Sequence, residues 1–187
     1  MPDPISRAVS THVFQWDVTL PALATQTISG VAQFGIFVAV LVVGLGALWA
    51  AGGSPRDRIV RTILRLIPGI VAVGVALLAA HFIGKVLPET RPFVLLGQQP
   101  LFPHAADASF PSDHVSGGMA MLAARVGRWT KTITVVIVIL VGAARVLAGV
   151  HWLDDIVGAA IIGLVIAGLA STAWSALVVP RLAVRTA

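Results

Sequence analysis

The sequence predicts an all-α integral membrane protein: a helical bundle of about five transmembrane helices with an amphipathic helix at the N-terminus. Three observations predict it. Of the 187 residues, 57% are apolar and only 11% are charged, against about 45–50% and about 25% in soluble globular chains. The mean hydropathy is +0.94. The apolar residues also fall into long charge-free runs separated by short polar or Gly/Pro-containing turns, which is the pattern of membrane spans. The chain has no cysteine, so disulfides, thiolate metal sites and a cysteine nucleophile are excluded.

Taken in order, residues 1–29 mix polar and apolar positions. Ile5, Val9, Val13 and Trp16 fall at helical spacing and predict an amphipathic helix lying in the interface. Asp3, Arg7, His12 and Asp17 precede the first long apolar run, so no cleavable leader is expected. The first span is about 30–51, closed by a Gly-Gly-Ser-Pro turn at 52–55. The second is about 59–83, with Arg61 and Arg65 snorkelling at its start and a kink expected at Pro68. A polar, Pro-rich loop follows over about 85–111. The third span, about 113–128, is short, and its charge-free core runs only from Val115 to Ala124. The fourth is about 131–149, with Arg145 near its end, and the fifth about 152–179. Trp49, Trp129, Trp152 and Trp174 lie near span ends, where an aromatic belt would place them. A sixth span would require residues 8–28 to cross, which Asp17 and Pro21 disfavour. Residues 1–187 read as a single membrane-embedded domain without internal repeats.

Thirteen Lys and Arg stand against eight Asp and Glu. In a soluble protein that balance would suggest nucleic acid. Here five spans place nine of the thirteen on one side: Arg56, Arg58, Arg61, Arg65, Arg125, Arg128, Lys131, Arg181 and Arg185. The positive-inside rule makes that side cytoplasmic, with the C-terminus inside and the N-terminus outside. No nucleic-acid partner is expected, and the oligomeric state is left open.

The other side gathers Lys85, Arg91, His104, His114, Arg145, His151, Asp154 and Asp155, several within or beside apolar helices. Charges there are costly and usually functional. His151 and Asp155 are four apart at a helix start, on one face. A carboxylate there can fix the tautomer and raise the basicity of the far nitrogen, which suits a nucleophile or a base. His114 follows Pro111-Ser112-Asp113 at another helix start, where unpaired N–H groups favour an anion. Lys85, Arg91 and Arg145 add the cations a phosphate needs. Each feature alone has a plainer reading: a cap, a snorkelling Arg, a local ion pair. For His12, His81, His104, Asp107 and Asp154 the plainer reading is preferred, with His81 also a candidate supporting group one or two turns from the outer end.

Three ordered segments carry a resemblance. They are Lys85-VLPET-Arg91-Pro92, Pro111-Ser112-Asp113-His114, and Ala144-Arg145-VLAGV-His151-WLD-Asp155. They resemble the motifs of the type 2 phosphatidic acid phosphatase superfamily, over about residues 85–158. Two departures are visible. Five residues rather than six separate Lys85 from Arg91, and Ala144 stands where Ser is common. The resemblance implies that His151 attacks phosphorus to form a phosphohistidine, that Asp155 orients it, and that His114 protonates the leaving oxygen and then helps activate water. It implies phosphate binding by Lys85, Arg91, Ser112 and Arg145, with Pro92 and Asp113 in the same motifs. No metal and no cofactor are implied.

The Pro-Ser-Asp-His form, Arg91-Pro92-Phe93 and the small size are similar to bacterial undecaprenyl pyrophosphate phosphatases of that superfamily. The resemblance therefore implies an enzyme of the bacterial cytoplasmic membrane. It would hydrolyse undecaprenyl pyrophosphate to undecaprenyl phosphate at the outer face, recycling a lipid carrier for cell wall biosynthesis. Alternative substrates are phosphatidic acid and phosphatidylglycerophosphate, or transfer of the phosphate to another lipid. A more distant alternative is an anion or lipid transporter.

Overall fold

The structure is a computed structural model describing residues 3–17 and 20–184, and every regular element among them is helical. Four helices are long and apolar enough to cross a membrane: α2 (Ala22–Ala51), α3 (Pro55–Val86), α6 (Arg128–Leu147) and α7 (Leu153–Leu177). Shorter helices are α1 (Pro4–Asp17), α4 (Pro92–Leu95), α5 (Asp113–Ala120) and α8 (Val179–Val184). Residues 8–28 are divided between α1 and α2, with Pro21 preceding α2. Arg185, counted above with the basic tail, lies outside the described residues, as does the side chain of Trp16.

Helix α2 starts eight residues before the span expected from about residue 30. The polar residues there are absorbed by their own helix: Thr25 Oγ1 donates to Ala22 O, Thr27 Oγ1 to Leu23 O, and Gln33 Nε2 to Ser29. Helix α3 starts at Pro55, behind an N-cap at Ser54. The Ser54 hydroxyl accepts from the Asp57 N–H and donates to its carboxylate at 2.6 Å.

The third crossing differs in kind from the others. Residues 113–127 form α5, a 3₁₀ turn at Met121–Ala123 and a non-helical stretch, rather than one long helix, and Arg128 already belongs to α6. This segment begins beside Gly84, near the end of α3, where the Phe110 carbonyl approaches. It ends where Arg125 N donates to Arg65 O and Arg65 Nη1 donates to Arg125 O, both at 2.9 Å. From Arg65 to Gly84 helix α3 rises about 28 Å, close to the roughly 30 Å hydrocarbon thickness. The segment thus traverses the bundle inside a wall of α2, α3, α6 and α7. Irregular backbone is tolerated at that depth when protein, not lipid, surrounds it. Its fit against α7 is close: a β-carbon on Gly163 would collide with the Ser116 carbonyl oxygen.

The polarity of the fold is that of a membrane protein. Ala32, Ala39, Ala47, Ala72, Ala76 and Ala80 line the interior, while Phe34, Phe37, Leu41, Ile70, Leu78, Ile139 and Ile161 face outward. Small residues let the helices approach closely, and the large apolar ones meet lipid. Trp49 and Trp129 are exposed at helix ends, as a belt requires. Trp152 is not a belt residue: it is fully buried, and its indole N–H donates to the Thr90 carbonyl at 2.8 Å. An indole can be buried once its one donor is satisfied.

Helix α1 turns its apolar residues Ile5 and Val9 outward and buries Ser6 and Ser10 against the bundle. Those serines lie at the start of α7. Ser10 Oγ accepts from Leu153 N at 3.1 Å, and Ser6 Oγ accepts from Asp154 N at 3.0 Å. Ser6 Oγ also donates to Asp154 Oδ1 at 2.6 Å. The unpaired N–H groups of α7's first turn are therefore capped from another helix. The double variant Ser6→Ala/Ser10→Ala should lose about 2 kcal/mol of stability. A fall of several degrees in Tm in detergent is the expected reading, and an unchanged Tm would exclude the clamp.

Candidate active site

The residues singled out in the sequence meet at the end of the bundle where α3 and α6 finish and α5 and α7 begin. Arg145 occupies the last turn of α6. Gly149, at φ 73°, then reverses the chain, with Val150 N donating back to Arg145 O. A positive φ of this kind favours glycine. The reversal places His151 immediately before α7, whose third residue is Asp155. The Pro-rich loop returns Arg91 as N-cap of α4, with Pro92 buried at the first helical position. Ser112 is N-cap of α5 and sets His114 in its first turn.

A cavity of about 510 Å³ opens here. Lys85, Arg91, Asp113, His114, Arg145 and His151 line it, together with His81, His104 and Asp107. Ser112, Pro92 and Asp155 are not among the residues that line it. Lys85 reaches the cavity from the last turn of α3 despite its shortened spacing from Arg91.

His151 is 2% exposed and held at both nitrogens. Nδ1 lies 3.2 Å from Asp155 Oδ2, and Nε2 lies 3.4 Å from Arg91 Nη1. A guanidinium only donates, so Nε2 carries the lone pair and Nδ1 the proton that goes to the carboxylate. Burial, then the guanidiniums of Arg145 and Arg91, hold His151 well below the ordinary histidine range, so it is neutral. Asp155 is fully buried. Its Oδ2 also accepts from Trp152 N at 2.8 Å and from the Ser109 hydroxyl. Three donors on one oxygen fix the carboxylate, and through it the imidazole.

Arg91 is held just as fully. Nε and Nη2 donate to Asp107 Oδ1, each at 2.9 Å. Nη1 donates to Val150 O at 2.8 Å, and Nη2 also to Ala108 O at 3.0 Å. Arg145, 4% exposed, donates through Nη1 to Ala32 O at 3.1 Å and through Nη2 to His104 Nε2 at 3.0 Å. Its Nε has no partner, nor has the buried Ser112 Oγ, among the described residues. The arrangement offers a lone pair on nitrogen, flanked by buried cations with donors to spare. That is what an anionic, tetrahedral group undergoing nucleophilic attack requires. Among the described residues, no three His, Asp or Glu side chains are grouped as metal ligands.

Two positions read plainly in the sequence, His104 and Asp107, contact the two arginines here, and Ser109, which the sequence did not single out, contacts Asp155. They lie in an irregular loop, where no periodicity marks a side chain as inward. Asp154, by contrast, turns to α1 and away from the cavity.

Known proteins resemble this chain in sequence and in fold. The chain is 33% identical over 138 residues to undecaprenyl-diphosphatase BcrC of Bacillus subtilis, covering 73% of this chain and 67% of that protein. It is 31% identical over 134 residues to putative undecaprenyl-diphosphatase YbjG of Escherichia coli, covering 70% and 64%. In fold it resembles a transmembrane PAP2-type phosphatidylglycerolphosphate phosphatase of Bacillus subtilis, with TM-score 0.67, 20% identity and coverage of 92% and 86%. It also resembles LpxE of Aquifex aeolicus, with TM-score 0.65, 18% identity and coverage of 87% and 92%. The PAP2 superfamily model matches residues 65–178. That stretch runs from within α3 to just past α7 and supplies every residue lining the cavity, so this chain belongs to the PAP2 superfamily of membrane phosphatases.

Proposed function

We propose that this protein removes the terminal phosphate of undecaprenyl pyrophosphate, leaving undecaprenyl phosphate, through a phosphohistidine on His151. The observation that carries the chemistry is the His151 ring, with Nδ1 on Asp155 and the Nε2 lone pair in a cavity lined by Arg91 and Arg145. Nε2 attacks the terminal phosphorus, and the bond from that phosphorus to the bridging oxygen breaks. His114, which lines the same cavity, protonates the departing lipid phosphate. It then takes a proton from the water that attacks the phosphohistidine, releasing inorganic phosphate and restoring His151. Lys85, Arg91 and Arg145 neutralise the charge on the transferring group, Asp113 borders it, and the buried Ser112 hydroxyl at the start of α5 is a further donor toward it. The substrate assignment rests on the names of the two relatives above 30% identity.

The basic residues of the opposite end, Arg61, Arg65, Arg125, Arg128 and Lys131 among them, favour a cytoplasmic location for that end of the bacterial inner membrane. The cavity then faces outside and the C-terminus inside.

Phosphate release from a panel of lipids, with chelator present, tests the reading. Undecaprenyl pyrophosphate should turn over faster than phosphatidic acid or phosphatidylglycerophosphate, and chelator should leave the rate unchanged. Faster release from either glycerolipid would overturn the substrate assignment. Loss of activity in chelator would overturn the metal-free mechanism.

A further inference from the structure

The loop between α4 and α5 carries His104 into the cavity, outside the three segments that bear the family resemblance. Its Nδ1 lies 3.1 Å from the Ala105 carbonyl oxygen. A carbonyl only accepts, so the ring proton sits on Nδ1 and Nε2 keeps a lone pair. That lone pair faces Arg145 Nη2 at 3.0 Å. The ring is wedged in place, with centroids 5.9 Å from Phe102 and 6.5 Å from Phe93, and edge-on to His151 at 6.5 Å. Arg145 needs such an anchor. It is buried, its Nε is without a partner, and none of the ion pairs among the described residues involves it. Its only other acceptor there is the Ala32 carbonyl.

We propose that His104 is a positioning residue for phosphoryl transfer: its neutral Nε2 holds the Arg145 guanidinium beside His151, oriented for the incoming phosphoryl oxygens. This rests on the reading of His151 as nucleophile. Only the neutral ring can serve. A proton on Nε2 would remove the acceptor and set a cation against Arg145, with Arg91, His114 and His151 also facing it and Asp107 the opposing charge that acts on it. Burial and the two guanidiniums hold His104 below the ordinary histidine range, which favours the neutral form.

The test is kcat/KM for phosphate release from undecaprenyl pyrophosphate, followed across about pH 5–8, in full-length variants. His104→Ala should lose about ten- to a hundred-fold, the loss expected for one hydrogen bond to a charged group. His104→Gln keeps an acceptor near the position of Nε2 and cannot titrate. It should recover to within about three-fold of wild type and lose the part of the acid limb that His104 contributes. In an Arg145→Lys background, His104→Ala should cause little further loss, because the interaction is already gone. Should His104→Ala fail to fold, His104→Leu fills the space between Phe93 and Phe102 without an acceptor. Wild-type activity in the Ala variant would overturn the proposal. So would a Gln variant as impaired as Ala at unchanged Tm, or losses that multiply in the Arg145→Lys background. If instead His151→Ala keeps full activity, it is the reading of the nucleophile that fails, whatever the contrast between Ala and Gln shows.

Discussion

Replacing His151 by alanine should lower the rate of phosphate release by about 10³-fold or more, the scale seen when a covalent nucleophile is deleted. The argument is geometric. The ring is neutral, its Nδ1 proton is held by Asp155, and its Nε2 faces the cavity beside Arg91. Among the described residues no other imidazole there has a carboxylate partner: His104 rests on a backbone carbonyl and on Arg145. The remaining cations should still bind the lipid, so KM should move much less than kcat. Denaturing wild-type turnover of ³²P-labelled substrate with detergent at alkaline pH should leave label on the protein that survives alkali and is lost in acid, as a phosphohistidine does, and the variant should carry none. A His151→Ala protein that releases phosphate at the wild-type rate would refute the assignment.

Asp155→Asn should cost about 10³-fold in kcat, as expected where a carboxylate fixes the tautomer of a reacting histidine. Oδ2 receives three donors: Ser109 hydroxyl, Trp152 N–H and His151 Nδ1–H. An asparagine must choose. With its NH₂ on that side, donors face donors, and His151 is driven to the tautomer whose proton sits on Nε2. With its oxygen there, the NH₂ takes the place of Oδ1, which is buried without a partner, and an unsatisfied donor is costly. Asp155 does not line the cavity, so KM should stay within about three-fold of wild type, as for a residue that touches no substrate. A raised KM with unchanged kcat would show instead that Asp155 binds substrate.

Much of this architecture is legible in the order of residues. A bilayer demands runs of about 20 apolar residues, and runs of that length are found without any knowledge of contacts. The i, i+4 relation of His151 and Asp155 is local as well: the helix alone puts the two on one face. The short third crossing was visible as a short charge-free core. What replaced a helix after Ala120 was not visible, because that backbone depends on being enclosed by four other helices. Trp152 shows the same limit. A tryptophan at a helix end reads as an interface anchor until the Thr90 carbonyl, 62 residues away in sequence, proves to be its partner.

By itself the sequence determined an all-helical membrane chain with its unusual cations and histidines gathered at one end, because hydrophobic length and helical spacing are local properties. The tertiary structure alone decided which of those groups touch. It turned Asp154 away from the cavity by pairing it with Ser6, brought His104 and Asp107 into it from an irregular loop, and set Ser109 of that loop on Asp155. The physical reason is that a hydrogen bond or ion pair depends on a fit of a few tenths of an ångström between groups from different elements. Composition and periodicity carry no information at that scale, and helix packing sets it.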